Sequence, residues 1–326
     1  MLYCEHPFIV KSDDGNRYQV GCGKCLSCLK SKRWQWSQRL HAEFVHSVCT
    51  KFVTLTYDEQ SFLGIRNELN KGIELTSHIY IEDDDVCFPN VSKRDCQLFF
   101  KRLRKSFTDV LGNFKYFLVS EFGDRTGRPH YHCIMFFDKY ISNSELQLMI
   151  LKTWKLGYIL DVQDVKGSGA FSYLTNYMYK QVGDVDIDSK MMDIYNENHD
   201  NMQYVYTEQE KYRNRPKTFM LASRRPAIGM SYLSSPQRIK FHKSSILNTT
   251  ASMKGYPTNI PLCSYLKNKV YSKDEVALIN AHFQKEERDR IDKYIESKGI
   301  TYDDYHRKVA EIRKNHNYNL RHKEWN

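Results

Sequence analysis

Two histidines separated by one residue, His130 and His132, lie in the run Arg128-Pro129-His130-Tyr131-His132-Cys133-Ile134-Met135-Phe136-Phe137. After Pro129 this run reads as a strand, so both imidazoles project to one face about 6–7 Å apart, with Tyr131 on the other. Such a pair chelates one metal ion when a third ligand comes from nearby. About forty residues later, Tyr173-Leu174-Thr175-Asn176-Tyr177-Met178-Tyr179-Lys180 has helical spacing. At roughly 100° per residue, Tyr173, Tyr177 and Lys180 fall within roughly 60° of one another on one helix face. Either pattern alone is compatible with core packing. Their combination in one chain points to a site.

The third chemistry-bearing cluster is at the N-terminus, where Cys4 precedes Cys22-Gly23-Lys24-Cys25-Leu26-Ser27-Cys28. Four cysteines, three of them at Cys-x-x-Cys-x-x-Cys spacing, match the ligand type and count of a tetrahedral structural zinc site. Iron–sulfur ligation is the competing use, but it serves electron transfer, for which the chain carries no partner motif.

The elements that must position these residues follow from periodicity. A helix is expected from Leu29 to about Val45, with Lys30, Lys32 and Arg33 interleaved with Trp34 and Trp36. Its basic side chains suit DNA phosphates, and its tryptophans suit anchoring to a core. Residues 49–57 form a first strand, and residues 58–91 an acidic, irregular insertion around Asp83-Asp84-Asp85. Ser92 caps a further helix with Asp95 as its capping-box partner; Leu98, Phe99 and Leu103 face inward, and Lys101, Arg102, Arg104 and Lys105 outward. The strand Tyr116–Glu121 then turns into the histidine strand as a hairpin. That places Glu121 at the end of the paired strand, where its carboxylate completes a three-ligand set; Asp124, in the turn, is the alternative. A helix over 144–156, a strand over 157–162 and an acidic insertion over 183–216 complete the middle of the chain. From about residue 273 the sequence is charged and helical, ending in a basic tail.

Together these residues resemble the His-hydrophobe-His endonuclease superfamily of rolling-circle replication initiators, with Tyr131 as the middle residue. More narrowly, they look like the replication initiators of microvirus (gokushovirus-like) single-stranded DNA bacteriophages. The resembling segments are Phe52-Val53-Thr54-Leu55-Thr56-Tyr57, the His130/His132 strand, the Tyr173/Tyr177/Lys180 helix, the cysteine cluster, and Ser223-Arg224-Arg225-Pro226-Ala227-Ile228-Gly229. Ala227 stands where that family more usually has glycine. The resemblance covers residues 4 to about 235.

It implies an α+β fold in which a central antiparallel sheet of about five strands, flanked by helices, presents the histidines on its middle strand. An N-terminal zinc knuckle and a C-terminal helical extension are added to this. The expected domains are 1–45 (knuckle and basic helix), 46–235 (endonuclease, with insertions near 58–91 and 183–216) and 236–326 (basic helical region). The implied reaction is site-specific nicking and rejoining of single-stranded DNA through a 5′-phosphotyrosine, leaving a 3′-hydroxyl primer. Tyr173 and Tyr177 are the nucleophiles, assisted by Lys180. His130, His132 and Glu121 hold a divalent metal (Mg or Mn), and Cys4, Cys22, Cys25 and Cys28 a structural zinc. Lys30, Lys32, Arg33, Arg128, Arg224 and Arg225 are the expected DNA contacts.

Bulk properties agree. Lysine plus arginine is 49 against 39 aspartate plus glutamate, a surplus of 10 that suits a polyanion, and the 23 tyrosines offer stacking surfaces for single-stranded DNA. No apolar run approaches the roughly 18 residues of a membrane span, and no signal peptide is evident. Nine cysteines without an export signal suggest reduced thiols, so the expected compartment is the cytoplasm of a bacterial host. No phosphate-binding nucleotide loop occurs, so a host helicase, and then a polymerase, are the expected partners beside origin DNA. Two other readings remain: a non-catalytic zinc-containing DNA-binding regulator, and a nickase of transposition or conjugation. A two-histidine phosphoesterase would need a second copy of His242-Lys243-Ser244, which is absent.

Overall fold

The computed structural model describes residues 4–322 except 5, 12–14, 16, 59–78, 82–86, 90, 123–128, 159, 178–217, 245 and 248–261. Lys180, Arg128, Asp124, Asp83-Asp84-Asp85 and the 183–216 insertion lie outside the described residues. The chain divides into two compact units, residues 1–39 with 229–326, and residues 40–228.

The first unit begins with a two-stranded antiparallel ribbon, β1 (Phe8–Lys11) and β2 (Arg17–Val20), followed by α1 (Leu26–Phe44), whose last residues enter the second unit. It resumes with a 3₁₀ turn (Met230–Ser234), α5 (Pro236–Ser244), α6 (Ser264–Val270), α7 (Lys273–Lys298) and α8 (Tyr302–His322). The helix expected from about residue 273 starts there because Ser272 and Glu275 form a reciprocal capping box, and it stops at Gly299 in a left-handed conformation (φ 58°). His242 is buried in this unit and bonded through Nε2 to the Tyr232 hydroxyl at 2.8 Å, which removes it as a phosphoesterase residue.

The second unit is the α+β body expected from the sequence. Its strands are β3 (Cys49–Thr56), β6 (Phe114–Phe122), β7 (Pro129–Phe137), β8 (Leu160–Asp164) and β9 (Met220–Ala222). They form a five-stranded sheet in the order β8-β3-β7-β6-β9, antiparallel throughout, with the histidine strand in the middle. A small separate ribbon, β4 (Ile79–Ile81) with β5 (Cys87–Pro89), lies within the 58–91 segment. Its helices are α2 (Lys93–Leu111), α3 (Asn143–Trp154) and α4 (Gly169–Asn176).

Alternation along β7 divides the sheet into two faces. Tyr131, Cys133, Met135 and Phe137 point into a core completed by Val53, Leu55 and Leu118 from neighbouring strands and by Phe99, Phe100, Leu103, Leu146, Ile150 and Trp154 from α2 and α3. His130 and His132 point to the opposite face.

Tyr131 brings a hydroxyl into that core, and its partners form a directed chain. The Ser92 backbone N–H donates to the Tyr131 oxygen at 2.7 Å, Tyr131 donates to Tyr57 at 2.8 Å, and Tyr57 donates to an Asp95 carboxylate oxygen at 2.7 Å. Burial holds both phenols well above their usual pKa, so both stay protonated donors. This explains a departure from the expected capping box. The Ser92 hydroxyl accepts from the Asp95 N–H at 3.1 Å as expected, but the Asp95 carboxylate accepts from Tyr57.

Two other expectations are corrected. Arg102 does not join a solvated basic face: its guanidinium donates to the Thr153 and Trp154 carbonyls at 2.6 and 3.1 Å, satisfying the end of α3. The strand expected over 157–162 begins instead at Leu160. Just before it, the chain crosses β3 closely, with Asp58 N–H donating to the Leu156 carbonyl at 2.8 Å and the Trp154 indole to the Thr56 carbonyl at 2.7 Å. A Cβ on Gly157 would meet the Thr56 oxygen at 2.2 Å, so only glycine fits that crossing.

Replacing Tyr131 by Phe leaves the Ser92 N–H and the Tyr57 oxygen without that partner in a dry core. The expected cost is about 1–3 kcal/mol, read as a lower urea midpoint for the unfolding of the 40–228 unit. An unchanged midpoint would show that the hydroxyl chain contributes nothing.

Candidate functional site

On the histidine face, strand register lays out the side chains. Thr56, His130 and Glu121 face one another across β3, β7 and β6; two residues along, Asp161, Thr54, His132 and Val119 form a second row from β8 to β6. His132 is nearly buried and held at both ring nitrogens. Its Nε2 meets the Glu121 Oε1 at 2.6 Å, and its Nδ1 lies 3.1 Å from the Thr54 hydroxyl. Glu121 therefore reaches diagonally along the sheet to His132, while His130 is its direct cross-strand neighbour.

The short helix α4 lies over this face. Phe171 is fully buried against His41 and Phe44 at the end of α1, with ring centroids 6.1 and 5.5 Å away, which fixes the rotation of α4. One helical turn separates Tyr173 from Tyr177, and both point at the histidine. The Tyr177 ring stacks on His132 (5.4 Å, 16° between planes), and Tyr173 meets the same imidazole edge-on at 5.9 Å. The two hydroxyls are 2.5 Å apart. Tyr177 is 8% exposed and Tyr173 48%. Burial raises the Tyr177 pKa well above that of a free phenol, and the hydrogen bond with Tyr173 and the nearby Glu121 carboxylate push it the same way.

An open groove of about 510 Å³ continues from His132 and Tyr173 along β8, floored by Phe52, Thr54, Asp161 and Gln163. Asp161 and Gln163 were not anticipated as site residues. Their only sequence signal is the period-2 alternation of β8, which becomes informative once β8 is known to pair with β3 in this register.

The expected residues do not all assemble here. Arg224 and Arg225 are exposed on a tight turn closed by a bridge between Arg224 and Ala227. That turn follows β9 at the Tyr116 end of β6, where the Ser223 N–H donates to the Tyr116 carbonyl at 2.9 Å. Five strand residues, roughly 17 Å, separate Tyr116 from Glu121. On α1, Lys30 and Lys32 are exposed and Arg33 is half-buried. Trp34, expected as an anchor, is 45% exposed; Trp36 stacks under the Arg39 guanidinium at 4.0 Å.

The cysteines converge as expected. The four Sγ atoms of Cys4, Cys22, Cys25 and Cys28 lie within 4.8 Å of one another, a geometry that could hold a metal ion such as zinc. Among the described residues this is the group of three or more candidate ligands that converges in this way. Glu121 and His132 are in contact, but His130 does not close with them into such a group. The thiols are electronically unequal. Burial works against the Cys22 thiolate, yet backbone N–H donors of Cys25 (3.3 Å) and Lys24 (3.4 Å) outweigh it, and its pKa falls to about 6. Cys28 is pushed up to about 12 by burial and by its cysteine neighbours.

Residues 50–182 match the family model described as replication-associated protein ORF2. That likeness supports a replication initiator. It is also consistent with an endonuclease-type enzyme, and the matched segment contains the whole histidine–tyrosine face. No curated protein and no solved structure matches the chain. Among the described residues, no helix is long and apolar enough to cross a membrane.

Metal-stripped protein is expected to react with iodoacetamide at pH 7 first at Cys22, the thiol already ionised there, with Cys28 slowest. One equivalent of zinc should protect all four, as read by peptide mass mapping. Equal labelling with and without zinc would remove the metal site.

Proposed function

We propose that this chain is a rolling-circle replication initiator that nicks and rejoins single-stranded DNA through a 5′-phosphotyrosine. The observation that carries the reading is the arrangement of Tyr173 and Tyr177, hydroxyl to hydroxyl, directly on the ring of His132. Neither a structural tyrosine stripe nor a purely DNA-binding domain calls for two phenols against a histidine that also meets a carboxylate.

The donor set on this face fits a divalent ion such as Mg or Mn. Two imidazoles and a carboxylate share one side of a rigid sheet, and Thr54 at Nδ1 is the kind of outer partner that leaves Nε2 to a metal. His130 must turn towards Glu121 to complete the set. A bound ion there supplies Lewis-acid polarisation of the scissile phosphate.

The chain's own residues do the rest. Tyr173, exposed and lining the groove, makes the first attack: its oxygen bonds to phosphorus, the bond from phosphorus to the 3′ oxygen breaks, and that oxygen leaves as a hydroxyl after taking a proton. The phenol proton of Tyr173 is passed to the hydrogen-bonded network of Tyr177 and Glu121. Tyr177, packed on His132, is held back for the second transfer. It cuts the regenerated junction, and the 3′-hydroxyl so released displaces Tyr173 and closes the circle. Cys4, Cys22, Cys25 and Cys28 hold a structural zinc, and Lys30, Lys32, Arg33, Arg224 and Arg225 contact DNA phosphates away from the reacting centre. Unwinding and synthesis fall to a host helicase and polymerase.

The test is covalent capture on labelled single-stranded oligonucleotides tiling a candidate origin, with manganese or with chelator, read on a denaturing gel. Wild type should form a manganese-dependent adduct. Tyr173→Phe should reduce it to background, whereas Tyr177→Phe should form adduct but fail to release closed circles. An undiminished adduct in the double variant sinks the tyrosine mechanism, and tight origin binding without adduct under any metal favours a DNA-binding regulator.

A further inference from the structure

We propose that the groove along β8 binds the base of a nucleotide adjoining the scissile phosphate, and that Asp161 and Gln163 select guanine there. The inference rests on the transesterification reading for where the phosphate sits, but its chemistry comes from residues that reading does not use.

Dimensions suit a single nucleotide. The groove holds about 510 Å³ and runs from His132 and Tyr173 to Asp161 and Gln163. Register places Asp161 opposite Thr54, and Thr54 opposite His132. Two interstrand spacings of about 4.8 Å therefore separate the histidine from the carboxylate, roughly 10 Å in all, comparable to the reach from a phosphate to the pairing edge of its own base. Phe52 supplies an aromatic wall between them, its ring 5.7 Å from His132 and 6.0 Å from Tyr173.

The polar end selects by hydrogen-bond type. Asp161 is exposed, and the Gln163 amide donates to its Oδ2 at 2.7 Å, which orients the carboxylate on the groove floor. A carboxylate only accepts. Guanine alone presents two adjacent N–H donors, from N1 and the exocyclic amine, on its pairing edge; the other three bases set an acceptor beside a donor. The second acid nearby, Asp164, is already committed to Lys51 and Asn143 at 2.6 and 3.2 Å, so Asp161 is the acceptor that faces a base. The same negative charge disfavours a phosphate at this end of the groove, which orients the nucleotide with its base outward along β8.

The competing account is that Asp161 and Gln163 are a solvated pair keeping the edge strand β8 from pairing with another chain. The two accounts differ in sequence selectivity. Wild type and Asp161→Asn would be compared on oligonucleotides carrying each of the four bases at the positions flanking the cut. Adduct would be measured with manganese, and binding by fluorescence anisotropy in chelator. Wild type should favour guanine at one flanking position by about tenfold, the size of one good base contact. Asp161→Asn, which exchanges an acceptor for a donor, should reduce that preference to within about twofold and redistribute adduct among the four bases. A wild type indifferent to both flanking bases, or a guanine preference that survives in Asp161→Asn, overturns the proposal. If wild type forms no adduct with any oligonucleotide, the transesterification reading falls. A guanine preference in binding that Asp161→Asn abolishes would then still support the subsite, and its absence would overturn it.

Discussion

The structure depends on the central strand β7 being buried on both sides while carrying two kinds of side chain. Its pleat sends Tyr131, Cys133, Met135 and Phe137 into the core under α2 and α3, and His130 and His132 to the face under α4. A slip of one residue in pairing would bury the imidazoles and eject the apolar set, so the register that builds the core also aims the histidines. Tyr131 tightens this further. Its hydroxyl is satisfied only where Ser92, Tyr57 and Asp95 wait for it, so the residue between the histidines acts as a lock on register.

The tyrosines depend on a different and thinner support. α4 spans eight residues and would not persist alone; the burial of Phe171 between His41 and Phe44 sets its rotation. With that fixed, one turn of helix separates a phenol open to the groove from one stacked on His132. Two chemically identical side chains thereby acquire different environments, Tyr173 accessible and Tyr177 desolvated beside Glu121. The difference gives a physical basis for an ordered use of the pair.

Charge in this chain divides between structural and exposed roles. Arg102 ends α3, Arg104 lies over Phe114 at 4.6 Å, Lys115 pairs with Glu43 at 2.7 Å, and the buried Lys51 pairs with Asp164 at 2.6 Å. Each looks, by composition alone, like a candidate phosphate contact. The cations free of such duties by burial, Lys30 and Lys32 on α1 and Arg224 and Arg225 after β9, are those exposed to solvent. A net surplus of 10 positive charges thus overstates the basic surface near the tyrosines and says little about where DNA lies.

Local pattern fixed much of this protein before any tertiary contact. Alternation set β7 and the side of it that holds the histidines; helical spacing paired Tyr173 with Tyr177; cysteine spacing assembled four thiols. Glu121 was also legible, because a hairpin places its far strand opposite the near one. Each rests on contacts within one element or across one turn. The remaining features depend on residues far apart in sequence, and only packing supplied them. β8 starts three residues later than its composition suggests because Gly157 must pass the Thr56 carbonyl. Asp95 serves Tyr57 rather than its own helix cap, and Arg102 serves a helix some fifty residues away. Asp161 and Gln163 join the site only because β8 pairs with β3, one strand from His132. Sequence periodicity tells a side chain which face to take, but which neighbours share that face is decided by strand order, and strand order is a property of the whole sheet.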